Sequence, residues 1–253
     1  MKPSATGRIL FWRGGSLWIG LAGEPSGLHA HHAVQVTLPF PGDRVRFQDP
    51  AGRWVDYTAA LVVADHPHVF EARGQRVAQL FVDPESRDGR RLQALHRGAG
   101  VVALAAGPLA ARIAGLAAAY ESQASEAALV ELARAMITTL SGAAPAQERT
   151  PDPRIARALQ LVRDGLGDKI SLDAVAAAVH LSPDRFRHLF VQETGIGLRP
   201  YLLWLRLEIS LAAYVAGRSL TEAAYLGGFA DSAHFSRTFK SMFGITPASV
   251  RPE

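Results

Sequence analysis

The chain has 253 residues, 48% of them hydrophobic, which is enough for two domains that each bury a core. Its 27 Lys and Arg against 23 Asp and Glu leave a formal net charge of +4, and residues 151–253 hold twelve basic against ten acidic side chains, so affinity for a polyanion must come from where the charges sit and not from their sum. Cysteine is absent, which excludes disulfides and thiolate metal sites, and neither a signal peptide in MKPSATGRILFWRGG nor an unbroken apolar span is visible, so a cytoplasmic protein with no membrane partner is expected.

Residues 1–83 read as strands. Ile9–Trp12 and Leu17–Gly20 flank RGGS, a hairpin-like turn. Val34–Leu38, Arg44–Phe47, Leu61–Ala64, Val69–Glu71 and Val77–Val82 follow, separated by PFPGD, ADHP and ARGQ. Short strands with Gly and Pro turns suggest a small β-barrel or sandwich. Arg87–His96 then reads as a short helix, and Leu109–Ser122 with Ser125–Leu140 as a helical hairpin. In the second of these Leu129, Leu132, Met136 and Leu140 share a face, either as a dimer interface or as packing against Leu109, Ile113 and Leu116. SGAAPAQERTPDP is a polar linker, and everything after it reads as helix.

The C-terminal part contains one construction twice. SLDAVAAAVHLSPDRFRHLFVQETG and SLTEAAYLGGFADSAHFSRTFKSMFG each carry a small-residue helix, a tight turn, a polar cap and a helix with an aromatic-rich stripe. Ser171 and Ser219 are placed to cap the first helices, the latter with Glu222 as a capping box. Ser182, followed by Pro183, and Asp231 cap the second helices, and Gly195 and Gly244 close them. At about 100° per residue, Phe186, Leu189, Phe190 and the stem of Glu193 cluster inward, leaving Asp184, Arg187, His188 and Val191 outward with Arg185 at the margin. In the second copy Phe235, Thr238, Phe239 and Met242 face inward, and Ala233, Ser236, Arg237 and Lys240 outward. Such a pair is the form of a helix-turn-helix DNA reader. Arg187 and Arg237 suit bidentate contact to guanine, and Lys240, Arg185 and His234 suit phosphate. Asp184 accepts from cytosine N4 or favours the helix N-terminus. Between the copies Pro200–Ala216 reads as a helix with the stripe Tyr201, Leu202, Leu205, Ile209, Ala212 and Ala213. A length of ~25 Å would let the two readers reach sites one DNA turn apart. Their outward residues differ, so one chain should read an asymmetric site.

GGFADSAHFSRTFKSMFGITPASVR resembles the C-terminal signature of the AraC/XylS transcription regulators, and LSPDRFRHLFVQETG their first recognition helix. The resemblance implies a seven-helix DNA-binding domain. It also implies base or backbone contacts from Asp184, Arg187 and His188 and from Ser232, Ala233, Ser236 and Arg237. Two residues depart from the pattern: His180 stands where the family usually has Gly, and Ala233 where a larger polar residue is common. More weakly, HAHHAVQVTL, VVADHPHVFEA and AQLFVDPESRDGRRL resemble the cupin-type barrel with which many members bind a small-molecule effector.

The fold class expected is therefore α+β in two domains. Residues 1–108 form a small cupin-like effector-binding β-barrel, 109–141 a helical hairpin that is a candidate dimerisation element, and 142–152 a linker. Residues 153–253 form an all-α domain of about seven helices with two helix-turn-helix motifs. Six of the nine histidines precede residue 100. His29 and His31 alternate, as residues sharing one face of a strand do, with Gln35 four residues on and His66 or His68 later. Three roles compete for them: a metal site, the lining of an effector pocket, or structural and surface positions. The usual cupin Glu is missing, so Trp18, His29, His31, Gln35 and His68 are assigned to effector binding, with no metal, no cofactor and no catalytic residues. The function expected is a sequence-specific, effector-responsive transcription regulator, an activator by family habit. It would be a homodimer with double-stranded DNA and RNA polymerase as partners. The alternative is a metal-binding cupin sensor or enzyme fused to a DNA-binding domain.

Overall fold

The computed structural model describes residues 5–142, 150–166 and 170–252, and most of the expected linker lies outside them. Two compact units divide the chain. One, the β-unit, holds the described residues up to Gly142 together with those from Ser236 onward; the second, the helical unit, holds those between. The expected boundary gave residues 236–253 to the helical part.

The β-unit contains β1 (Ala5–Trp12), β2 (Gly15–Ala22), β3 (Val34–Pro39), β4 (Val45–Gln48), β5 (Trp54–Tyr57), β6 (Ala60–Val62), β7 (Val69–Glu71), β8 (Arg76–Val82), α1 (Arg87–Leu95), β9 (Val101–Ala103), α2 (Ala106–Glu121), α3 (Glu126–Ser141) and, at the far end of the chain, β10 (Val250–Pro252). Seven strands form one sheet in the order β10-β1-β2-β8-β3-β6-β9, and three form a second, β5-β4-β7. RGGS turns the β1–β2 hairpin, with Trp12 opposite Gly15. β10 was expected as helix. Instead the chain leaves a 3-10 turn at Pro247–Ser249 and runs parallel to β1, with Ala5 opposite Val250, so the edge of β1 is paired rather than open. β5 and β9 were also not expected. Trp54 and Val55 in β5 are exposed, so no alternation of burial marks the strand, and β9 is a three-residue piece of an Ala- and Val-rich run.

Period-two alternation organises the large sheet. Leu17 and Ile19 of β2, Val34, Val36 and Leu38 of β3, and Ala78, Leu80 and Val82 of β8 point to one face. There they pack on Leu109, Ile113 and Leu116 of α2 and Leu129, Ala133, Met136 and Ile137 of α3. The intervening residues, among them Gln35, Thr37, Gln79 and Phe81, point the other way. The stripe of α3 is thus largely spent inside the chain: Leu129 and Met136 are buried and Leu140 half-buried against the core, while Leu132 stays 38% exposed.

The helical unit contains α4 (Pro153–Asp164), α5 (Leu172–Ala178), α6 (Pro183–Thr194), α7 (Leu198–Val215) and α8 (Leu220–Leu226). α9 (Ser232–Phe243) begins in this unit and continues into the β-unit from Ser236. The caps are where the residue types demand them. Ser171 and Ser182 Oγ accept from Ala174 and Arg185 N–H, and Ser219 with Glu222 completes a capping box. The expected stripe of α7 needs correction. Ile209 is 37% exposed, Ala212 and Ala213 are half-buried, and Trp204, Leu207, Ser210 and Leu211 are buried instead. The helix is covered on more than one side, so a single 3.6-residue stripe underestimates its buried face.

α8 lies tightly on α7 at Gly227, where a Cβ would stand 2.0 Å from Ser210 Oγ and 2.4 Å from the Arg206 carbonyl oxygen. The second neighbour is backbone and cannot rotate away. Gly227→Ala should therefore lower the unfolding free energy by about 1–3 kcal/mol in denaturant titration. Wild-type stability would mean that α8 can back away from α7 at no cost.

Candidate functional site

The two helix-turn-helix copies share a turn at the level of single hydrogen bonds. After α5, His180 N–H donates to Ala177 O (3.0 Å) and Leu181 N–H to Ala176 O (2.9 Å). After α8, Gly228 N–H donates to Tyr225 O and Phe229 N–H to Ala224 O, both at 2.9 Å. This is the Schellman closure, which needs a left-handed residue at its hinge. Gly228 takes φ 75° without a Cβ, and His180 takes φ 57° with one. The departure of His180 from the family pattern is therefore a strained residue in a turn whose geometry is kept. His180→Gly should raise stability by about 0.5–1 kcal/mol, the left-handed penalty less the added freedom of glycine in the unfolded chain. Unchanged or lower stability in denaturant titration would contradict that.

On α6, Phe186, Leu189 and Phe190 are buried, and Asp184, Arg185, Arg187 and His188 are exposed. Arg187 Nη1 donates to Asp184 Oδ1 (2.8 Å), an exposed pair that holds the guanidinium loosely and can be exchanged for another acceptor. His188 Nδ1 donates to the Asp184 carbonyl oxygen (2.8 Å), which leaves Nε2 as an outward acceptor. On α9, Asp231 Oδ1 accepts from His234 N–H (2.6 Å) at the cap. Phe235, Thr238 and Phe239 are buried, Ala233, Arg237 and Lys240 are exposed, and Ser232, Ser236 and Met242 are half-buried. The His234 ring stands edge-on to Phe229, centroids 5.1 Å apart.

A helix-turn-helix domain model matches residues 175–253, which spans both copies from α5 to the end of the chain. This helix-turn-helix part of the chain is similar to the AraC/XylS regulators. Over 140 residues, 52% of the chain, it is 30% identical to the transcriptional activator RhaR of Pectobacterium carotovorum, covering 49% of that protein. Over 105 residues, 40% of the chain, it is 36% identical to the arabinose operon regulatory protein of Escherichia coli K12, covering 35% of it. The chain thus spans half or less of the length of these curated relatives. ToxT from Vibrio cholerae O395 shares the fold with a TM-score of 0.58 at 12% identity, over 92% of this chain and 95% of ToxT. In another ToxT crystal structure an unsaturated fatty acid is bound.

The chain also has a cavity of about 80 Å³ inside its β-unit. Trp18, His29 and Gln35, all expected at an effector site, line it together with Phe70, Phe81, Phe243, Ile245 and Val250. The last three come from the end of the chain and were missed, because the aromatic stripe of α9 reads as helix core. In the structure Trp18 lies against both Phe243 (centroids 4.9 Å) and Phe239 (6.2 Å, nearly parallel). His31 and His68, also expected there, sit against His29 rather than on the wall, with ring centroids 5.7 and 4.2 Å from it.

His29 and His31 are not in a regular strand, as their alternation had suggested. His29 forms an isolated antiparallel bridge with His68, and their backbones exchange both hydrogen bonds (3.0 and 2.9 Å). Burial, reinforced by neighbouring His31, pushes the His29 ring down to about 4. Burial lowers His31, and burial with the two neighbouring rings holds His68 well below the ordinary histidine value. His32 points away from this group. Burial alone would lower it, but hydrogen bonds and charges from Asp65 and Glu85 outweigh burial and push it up to about 9. Its Nε2 donates to Glu85 Oε2 at 3.1 Å.

Proposed function

We propose that the protein is a sequence-specific DNA-binding transcription regulator, an activator and not an enzyme, whose β-unit binds a small molecule. The observation that carries this is the repeated turn followed each time by a helix with an exposed basic and polar face. Arg187 on α6, and Arg237 with Lys240 on α9, present donors of the kind that read guanine and phosphate, and His188 adds an outward acceptor. The named functions of RhaR and the arabinose regulator support it. The four outward residues of α6 differ from Ser232, Ala233, Ser236, Arg237 and Lys240 of α9, so the operator is asymmetric. Homodimerisation through the outer face of α2 and α3, where Leu132 stays exposed, RNA polymerase as a further partner, and action in the cytoplasm belong to the same proposal. Among the described residues no helix is long and apolar enough to cross a membrane.

The cavity suggests the chemistry of the effector. Its wall is aromatic and aliphatic with a few polar groups, Ser26, Gln35 and Gln79 among them, which suits an apolar molecule with one polar end. The fatty acid in ToxT is such a molecule. Two arrangements of the protein that differ in affinity for the ligand would couple it to DNA occupancy.

Arg187→Ala should weaken binding to the specific operator by about 1–3 kcal/mol and leave random duplex nearly unaffected, measured by fluorescence anisotropy at one salt concentration. An equal loss on both would make Arg187 a phosphate contact and remove it from the readers. Amphiphiles that fit the cavity should raise the melting temperature and perturb Trp18 fluorescence. No shift across a graded panel would leave a β-unit that senses nothing in this cavity.

A further inference from the structure

We propose that the β-unit holds a divalent transition-metal ion on the Nε2 atoms of His29, His31 and His68, with the Gln35 amide oxygen as a fourth donor. Each of the three rings has Nδ1 within 2.8–2.9 Å of a backbone carbonyl oxygen two residues away, at Gly27, Ala33 and His66. A carbonyl only accepts, so each Nδ1 carries the proton and each Nε2 keeps a bare lone pair. This is how ligating imidazoles are oriented: the far nitrogen donates outward and fixes the tautomer. Ligand atoms from the three residues lie within 4.8 Å of one another, in a buried setting.

Two further observations point to an ion. His68 Nε2 is buried and has no hydrogen-bond partner, a costly state for a lone pair shut away from water. And His31 Nε2 faces Gln35 Oε1 at 2.9 Å while Gln35 Nε2 donates to Thr37 Oγ1 at 2.9 Å, which sets two acceptors against each other. Donors bound ~2.1 Å from one ion at a right angle stand ~3 Å apart, close to that spacing. Turning the Gln35 amide over would satisfy His31 alone and leave His68 bare. One cation serves both.

The donor set decides the class of ion. Three neutral imidazoles and an amide oxygen, without thiolate or carboxylate, suit zinc, nickel, cobalt or copper rather than calcium or magnesium. The double hydrogen bond between the His29 and His68 backbones fixes two of the three ligands before any ion arrives. His29 and Gln35 also line the cavity, so a remaining coordination position faces the space in which a small molecule would lie. The metal site does not depend on the DNA-binding proposal and can stand or fall without it.

The test uses the full chain without an affinity tag, stripped with EDTA, desalted and titrated with Co²⁺ alone, then with Zn²⁺ in competition. The expected result is one equivalent of Co²⁺ with visible ligand-field bands, displaced by Zn²⁺, and a raised melting temperature. His68→Asn should bind more than ~100-fold more weakly, beyond what losing an outer hydrogen-bond partner costs. His96→Gln, outside the cluster, should bind as wild type. Circular dichroism of the metal-free variants checks folding. If His68→Asn does not fold, His29→Gln at the cavity wall takes its place with the same expectation. Absence of the bands, or bands that persist unchanged in a folded cluster variant, would overturn the proposal.

Discussion

Three strands without a solvent face set the terms for the β-unit. Every residue of β3 is buried, and β2 and β8 are nearly so. Such strands cannot follow the usual rule of apolar inward and polar outward. One face meets α2 and α3 and is aliphatic apart from Arg76 at the start of β8, which pairs with Glu121 of α2. The other carries Gln35, Thr37 and Gln79 beside Trp18 and Phe81, and it turns towards the cavity and the histidines. Each buried polar group left without a partner costs about 1–3 kcal/mol, so a face of this composition stands only if its groups are paired or serve a ligand. The Gln35 to Thr37 bond and the three carbonyl-anchored imidazoles are that pairing, and His68 Nε2 is where it stops.

The helical unit depends on a different constraint, the left-handed residue that closes each turn. Among the described residues it is met by the same pair of backbone bonds after α5, after α7 and after α8, with His180, Gly217 and Gly228 at the hinge. Because the turn fixes how the second helix leaves the first, it also fixes which side chains of that helix are covered. Phe186 and Phe190 follow the turn inward on α6, and Arg187 and His188 are left outward with no choice of their own. Function here is set by what packing leaves over.

What the sequence made legible tracks local chemistry. Caps, glycine closures and the faces of α6 and α9 depend on residues within a few positions of each other, and Ser182, Asp231, Gly195 and the Phe stripes could be read directly. The aliphatic alternation of β2, β3 and β8 was legible for the same reason. Features that depend on distant partners were not. β10 has no strand pattern of its own and exists because β1 offers a free edge. Phe243 and Ile245 read as the end of a helix and line a cavity with Trp18. Ile209 fitted a helical stripe and is exposed, because α7 is covered from more than one direction. The histidines were visible as a set. Their tautomers were not, since those are fixed by carbonyls whose positions only the folded backbone supplies.

The central claim is that the repeated turn builds two sequence readers of unequal specificity. Selection of bound sequences from a random duplex pool with the full chain, at a stated salt concentration, tests it most directly. The account predicts enrichment of two short, different motifs about one helical turn apart. Enrichment of a single motif, of two identical ones, or of none with and without cavity-filling amphiphiles would contradict it.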